Sequence, residues 1–229
     1  MFRALLVKEL REIWWLGLLP LGFVLYAVLN QTSHSLWEII VPRDPDEWDL
    51  VPFAETAYQT TGLFQSILQW GCILAAALGL WQTFRESQSR TWHFLLYRPV
   101  DRQVILGAKM LSAALIYSIA IVLPVGGLAL WVATPGTHAS PFHWSLTAPA
   151  WYAVAAGPAV YLSALFAGLR QGSIIGPRWW PLIGTATAFG LAAMALPTQF
   201  LVAISVALVV WDTLLIAAVR AELKSADFG

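Results

Sequence analysis

Six apolar runs, at residues 13–29, 62–84, 110–132, 150–169, 180–196 and 200–219, alternate with polar blocks along the chain. A helix needs about 20 residues to cross the roughly 30 Å of hydrocarbon in a bilayer. Each run comes near that length, so the pattern predicts an all-α polytopic membrane protein with six transmembrane helices. Residues 1–12 read differently: Phe2, Leu5, Leu6 and Leu10 share one side of a helix, while Arg3, Lys8, Arg11 and Glu12 lie away from it. That is the pattern of an amphipathic helix lying in the membrane interface. Trp14 and Trp15 then open the first run at headgroup depth. A charged start before an apolar run also suits a cleavable signal peptide, but NQTSHSLW after the run offers no small-residue cleavage site. The first run is therefore expected to remain as an anchor.

The basic residues set the orientation, because cytoplasmic loops collect Lys and Arg. With both termini cytoplasmic, Arg3, Lys8, Arg11, Arg85, Arg90, Arg98, Arg102, Lys109, Arg170, Arg178, Arg220 and Lys224 fall inside and Arg43 alone falls outside. An inverted or five-span arrangement would lose that bias. The region 31–61 then forms an external acidic loop carrying Glu38, Asp44, Asp46, Glu47, Asp49 and Glu55. Its DPDEWD segment lacks the ligand spacing of a calcium loop and reads as a solvated surface. A second external loop holds His138 and His143, too few ligands for a metal site. The turn at residues 197–199 leaves almost nothing outside. The whole of 1–229 reads as one transmembrane domain.

Composition agrees with the pattern. With 59% hydrophobic and 11% charged residues and a mean hydropathy of +0.67, the chain is too apolar to clothe a soluble domain. A net charge of zero gives no footprint for nucleic acid. No GxxxxGK[ST] loop occurs, so the chain has no means of binding ATP in the P-loop manner. The single cysteine, Cys72, lies within an apolar run and forms no internal disulfide.

Within the runs, a few residues depart from the apolar background. Gln65 and Gln69, one turn apart in the second span, suit hydrogen bonds to neighbouring helices or a face on a substrate path. Asp212 is the one carboxylate within a span, and such a charge is costly unless paired, hydrated or protonated. Pairing with a basic residue near the cytoplasmic rim is the first expectation, a place on a substrate path the second. In the third span, Pro124 followed by Gly126 and Gly127 predicts a kink or a loosened helix. Ala155, Ala159, Ser163 and Ala167 in the fourth span, and Gly184, Ala188 and Ala192 in the fifth, form small-residue stripes of the kind that let helices approach closely. His34, His93, His138 and His143 all fall in loops, and neither HExxH nor GxSxG occurs. The chain therefore reads as a pathway, a scaffold or an anchor rather than an enzyme.

The block 85–109, RESQSRTWHFLLYRPVDRQVILGAK, stands apart. It interleaves Arg85, Arg90, Arg98, Arg102 and Lys109 with Trp92, Phe94, Leu95 and Leu96. Trp92, Leu95 and Leu96 share one face of a short helix that Pro99 brings to an end. Asp101 then suits the N-cap of the next helix. The bland alternative is an ordinary basic loop.

Glu86, Thr91, the pair Leu95 and Leu96, Arg98, Pro99, Val100, Arg102 and Lys109 resemble the signature of the type-2 ATP-binding-cassette (ABC-2) permeases. KELRE beside the first span is similar to the elbow helix of that family. The resemblance implies a coupling helix at residues 91–97 that docks on a separate nucleotide-binding subunit. Its docking face would comprise Glu86, Arg90, Thr91, Trp92, Phe94, Leu95, Leu96, Arg98, Pro99 and Arg102, and Gln65, Gln69 and Asp212 would line the path. It further implies ATP and Mg held by the partner and none by this chain, a second permease copy or homologue, export as the direction, and a multi-pass place in a prokaryotic plasma membrane. Arg90 stands where a Gly often precedes the Thr, and the turn at 197–199 replaces the short re-entrant helices many members carry. The alternatives are a membrane anchor or assembly subunit that recruits a cytoplasmic partner and, third, an intramembrane enzyme centred on Asp212.

Overall fold

The structure is a computed structural model and describes residues 2–31, 61–88, 102–134, 142–169, 181, 183, 185 and 201–225. Among these only Thr134, Phe142 and His143 lie outside helices, and no strand occurs. Helix α1 spans Phe2–Ile13, a 3-10 turn covers Trp14–Gly17, and α2 follows at Leu18–Gln31. Helix α3 is Thr61–Gln88, α4 is Arg102–Tyr117, and α5 is Leu123–Ala133. After a 3-10 turn at Trp144–Thr147 comes α6, Ala148–Leu169, and α7 is Leu201–Ser225. Residues 181, 183 and 185 are helical. Among the described residues, four helical stretches are long and apolar enough to cross a membrane: Phe2–Leu29, Leu63–Arg85, Gln103–Ala133 and Trp144–Leu169. Helix α7 adds 25 residues.

Helix α6 is the centre of the bundle. It is the most enclosed of those four stretches, and the N-terminal one is the least. A helix that is apolar all round fits such a position, because most of its surface meets other helices and only the side of Trp151, Ala155 and Pro158 stays exposed. Its main neighbour is α3, and α7 packs on another side. Gly79 explains how α3 comes so near: a Cβ there would stand 2.7 Å from the Tyr161 carbonyl oxygen and 2.8 Å from the Ala164 Cβ. One turn further on, Gly168 of α6 lies against Thr83 of α3. The small-residue stripe is therefore real but rotated from its predicted register. Gly79, Ala164 and Gly168 make the close approach, Ser163 turns instead to Thr185, and Ala155 is exposed.

The third apolar run does loosen where Pro124 requires it. Between α4 and α5 the chain makes a π-helical segment, Ser118–Val122. Proline at position 124 has no N–H for the carbonyl four residues earlier and its ring crowds that carbonyl, so the regular ladder gives way just before it.

Helix α1 is packed on α4 rather than standing alone. Leu5, Leu6 and Leu10 are half-buried, and the fully buried residues of the same face are Glu9 and Ile13. The apolar side of α1 thus carries a carboxylate at its centre. Helix α2 packs on α3 and the π segment, with Phe23 stacked on Trp70 at 4.1 Å between ring centroids. Trp15 meets Trp81 edge-on at 5.2 Å.

Candidate functional site

Among the described residues, two polar features of the apolar interior stand out. The first ties together the ends of α3 and α4, the two helices that flank the block rich in basic and aromatic residues. Lys109 Nζ of α4 lies 3.1 Å from Glu9 Oε1 of α1, and the two side chains are only 3% and 5% exposed. Lys109 Nζ also donates to the Gln82 carbonyl of α3 at 3.4 Å. Gln82 answers with its own amide: Nε2 donates to the Lys109 carbonyl at 3.2 Å and to Ser112 Oγ at 3.1 Å. Its Oε1 accepts from the Tyr161 hydroxyl of α6 at 2.8 Å. Four helices thus meet at one cluster in which each buried polar group has a partner, the condition under which such clusters are tolerated.

The second feature is a cavity of ≈ 380 Å³ lined by α3, α4, the π segment, α6 and α7 and open on one side. Ala75 and Leu78 come from α3, Met110, Ala113 and Tyr117 from α4, Ser118 and Val122 from the π segment. Helix α6 supplies Val154, Gly157, Pro158 and Tyr161, and α7 supplies Asp212 and Ile216. Asp212 is half-buried, and its Oδ1 is fully enclosed with no hydrogen-bond partner. Both tyrosine hydroxyls point their protons elsewhere: Tyr117 donates to the Val154 carbonyl at 3.0 Å, and Tyr161 donates to Gln82. Thr185 anchors the neighbouring face of α7, accepting from Trp211 Nε1 at 3.1 Å and sharing a hydrogen bond of 2.6 Å with Ser163.

The expectation that Asp212 pairs with a basic residue is not met: among the described residues no ion pair joins it to Lys or Arg. Depth alone suggested that pairing; the fold instead turns the residue toward the cavity. Gln65 and Gln69 are exposed on α3 and do not line the cavity. Glu86 lies in the last turn of α3, and Arg102 opens α4. Arg90, Thr91, Trp92, Phe94, Leu95, Leu96, Arg98 and Pro99 lie outside the described residues. The sequence reading missed the roles of Glu9 and Gln82. Glu9 carried a signal, a carboxylate between Leu5, Leu6, Leu10 and Ile13, whereas Gln82 near the end of an apolar run carried none.

A family model described as ABC-2 family transporter protein matches residues 28–211. The chain belongs to the ABC-2 transporter family. It is accordingly a multi-pass membrane permease of an ABC transporter, and the family implies a nucleotide-binding partner. No curated protein and no solved structure matches the chain. The family match runs from α2 to Trp211, so Glu9 and Asp212 of this ABC-2 permease are placed by geometry alone.

Proposed function

We propose that this permease exports a substrate by following ATP binding and hydrolysis on a separate nucleotide-binding subunit, working beside a second permease copy or homologue. ATP and Mg belong to that partner. In this reading the chain crosses the membrane six times with both termini in the cytoplasm, α1 is the interfacial elbow, and residues 91–97 form the coupling helix that docks on the ATPase. The observation that carries the reading is the family match over residues 28–211, which spans the whole connection between α3 and α4.

The geometry supplies a mechanism for the coupling. Gln82 and Lys109 clamp α3 to α4 just above that connection, so a push on it is carried by both helices together. Glu9 passes the displacement to α1 and Tyr161 passes it to α6, the central helix against which the cavity is built. Closely packed interiors change between discrete arrangements rather than deforming smoothly, which suits a two-state bundle. Substituting Glu at both Leu95 and Leu96 tests the docking: membrane-inserted protein should lose copurification of the ATPase subunit and its stimulated hydrolysis. Retained binding and activity would contradict the assignment.

A further inference from the structure

We propose that the cavity between α3, α4, α6 and α7 is a binding site for an amphipathic organic monocation, whose hydrophobic body fills the apolar space and whose charge lies against Asp212. The cavity measures ≈ 380 Å³. That volume falls within the roughly 300–1,000 Å³ of pockets that enclose small organic ligands. Its wall is built from apolar side chains, Tyr117, Tyr161, Ser118 and one carboxylate, that of Asp212. Such a wall offers dispersion and a single charge.

The carboxylate decides the class. Oδ1 of Asp212 is enclosed and receives no hydrogen bond, and the hydroxyls of Tyr117 and Tyr161 are committed to Val154 and Gln82. An anion would be repelled here, and a neutral hydrocarbon would leave a buried oxygen unsatisfied at a cost of about 1–3 kcal/mol. A bare metal ion would require several oxygen ligands, and among the described residues no group of three or more His, Cys, Asp or Glu exists to supply them. A delocalised organic cation suits the site, since its charge compensates that of Asp212 without a further set of ligands, its body fills the apolar space, and tyrosine rings in the wall are compatible with a cation. Entry is lateral: Ala114, Ser118, Ala155 and Pro158 line the cavity and are themselves exposed, leaving an edge of small side chains open to molecules dissolved in the bilayer. As a statement about the transported substrate this rests on the transport reading above; as a statement about a binding site it stands on the cavity alone.

The test uses the full chain in phosphatidylcholine nanodiscs and radiolabelled tetraphenylphosphonium as the probe. Saturable binding is expected, displaced by unlabelled tetraphenylphosphonium and not by tetraphenylborate, an anion of the same shape. Asp212→Asn should weaken it about tenfold or more, with Asp212→Glu retaining it. Ile216→Trp, which fills the cavity and keeps the carboxylate, should abolish it. The proposal is overturned by the absence of saturable binding, by equal displacement with the anion, or by full affinity in Ile216→Trp or in Asp212→Asn. Should Asp212→Asn fail to insert, Ile216→Trp and the anion competition decide the matter between them. Because the Leu95 and Leu96 experiment reads ATPase docking and does not touch the cavity, either reading can fail without the other.

Discussion

The pair Glu9 and Lys109 offers the sharpest energetic test of the bundle. Removing one partner of a buried ion pair leaves a charge without compensation and costs about 3–5 kcal/mol, whereas replacing both removes the charge and the cost together. Here the side chains are 5% and 3% exposed at a separation of 3.1 Å, and solvent screening is correspondingly small. Glu9→Gln should therefore destabilise strongly. Lys109→Met should fall toward the lower end of the range, because Lys8 lies 3.9 Å from the same Glu9 oxygen and can replace part of the interaction. The double substitution should cost clearly less than the two singles added. For a chain of this size about 1 kcal/mol moves a thermal midpoint by roughly 2–4 °C, so a single substitution should lower it by roughly 6–20 °C. Unfolding of the purified protein in detergent micelles, followed by circular dichroism, measures it. Arg85→Gln is the internal comparison: Arg85 pairs with Glu12 at 3.7 Å but is 51% exposed, and such pairs contribute at most about 1 kcal/mol and weaken in salt. If Glu9→Gln moved the midpoint no more than Arg85→Gln, or if the two single effects simply added, the buried pair would not be holding α1 to α4.

Gly79→Ala should destabilise by about 1–3 kcal/mol, since the new methyl meets backbone atoms of α6 that have no room to yield. Gly22→Ala, where a Cβ meets nothing within 4 Å, should leave the midpoint unchanged or raise it slightly, and the two variants can be read side by side in the same thermal assay. Thr185→Val removes the acceptor of Trp211 Nε1 and the partner of Ser163, with an expected loss of about 1–3 kcal/mol in the same measurement. A null result there would mean that the hydroxyl bridge between α6 and α7 contributes nothing to their packing.

The apolar runs by themselves determined the helical class, the approximate position of the described long helices and the break before Pro124. Each of these depends on residues within a few turns of one another: length against bilayer thickness, periodicity against helical pitch, and a missing N–H against the carbonyl four residues back. The start of one helix was legible too: α4 begins at Arg102, next to the Asp101 expected as its cap, whereas α7 continues to Ser225, beyond its apolar run, because a helix does not stop where its hydrophobic stretch does.

What only the tertiary structure decided is which residues meet. Glu9 finds Lys109 across 100 positions of sequence, and Tyr161 finds Gln82 across 79. The small-residue stripe of α6 was visible, yet the rotation that gives Gly168 to α3 and Ser163 to Thr185 is fixed by the approach of three helices at once. Asp212 was conspicuous as a lone carboxylate among apolar residues, but hydropathy measures how costly a charge is and is silent about which side of the helix it takes. The side was settled by α3, α4 and α6 closing around a space that α7 completes.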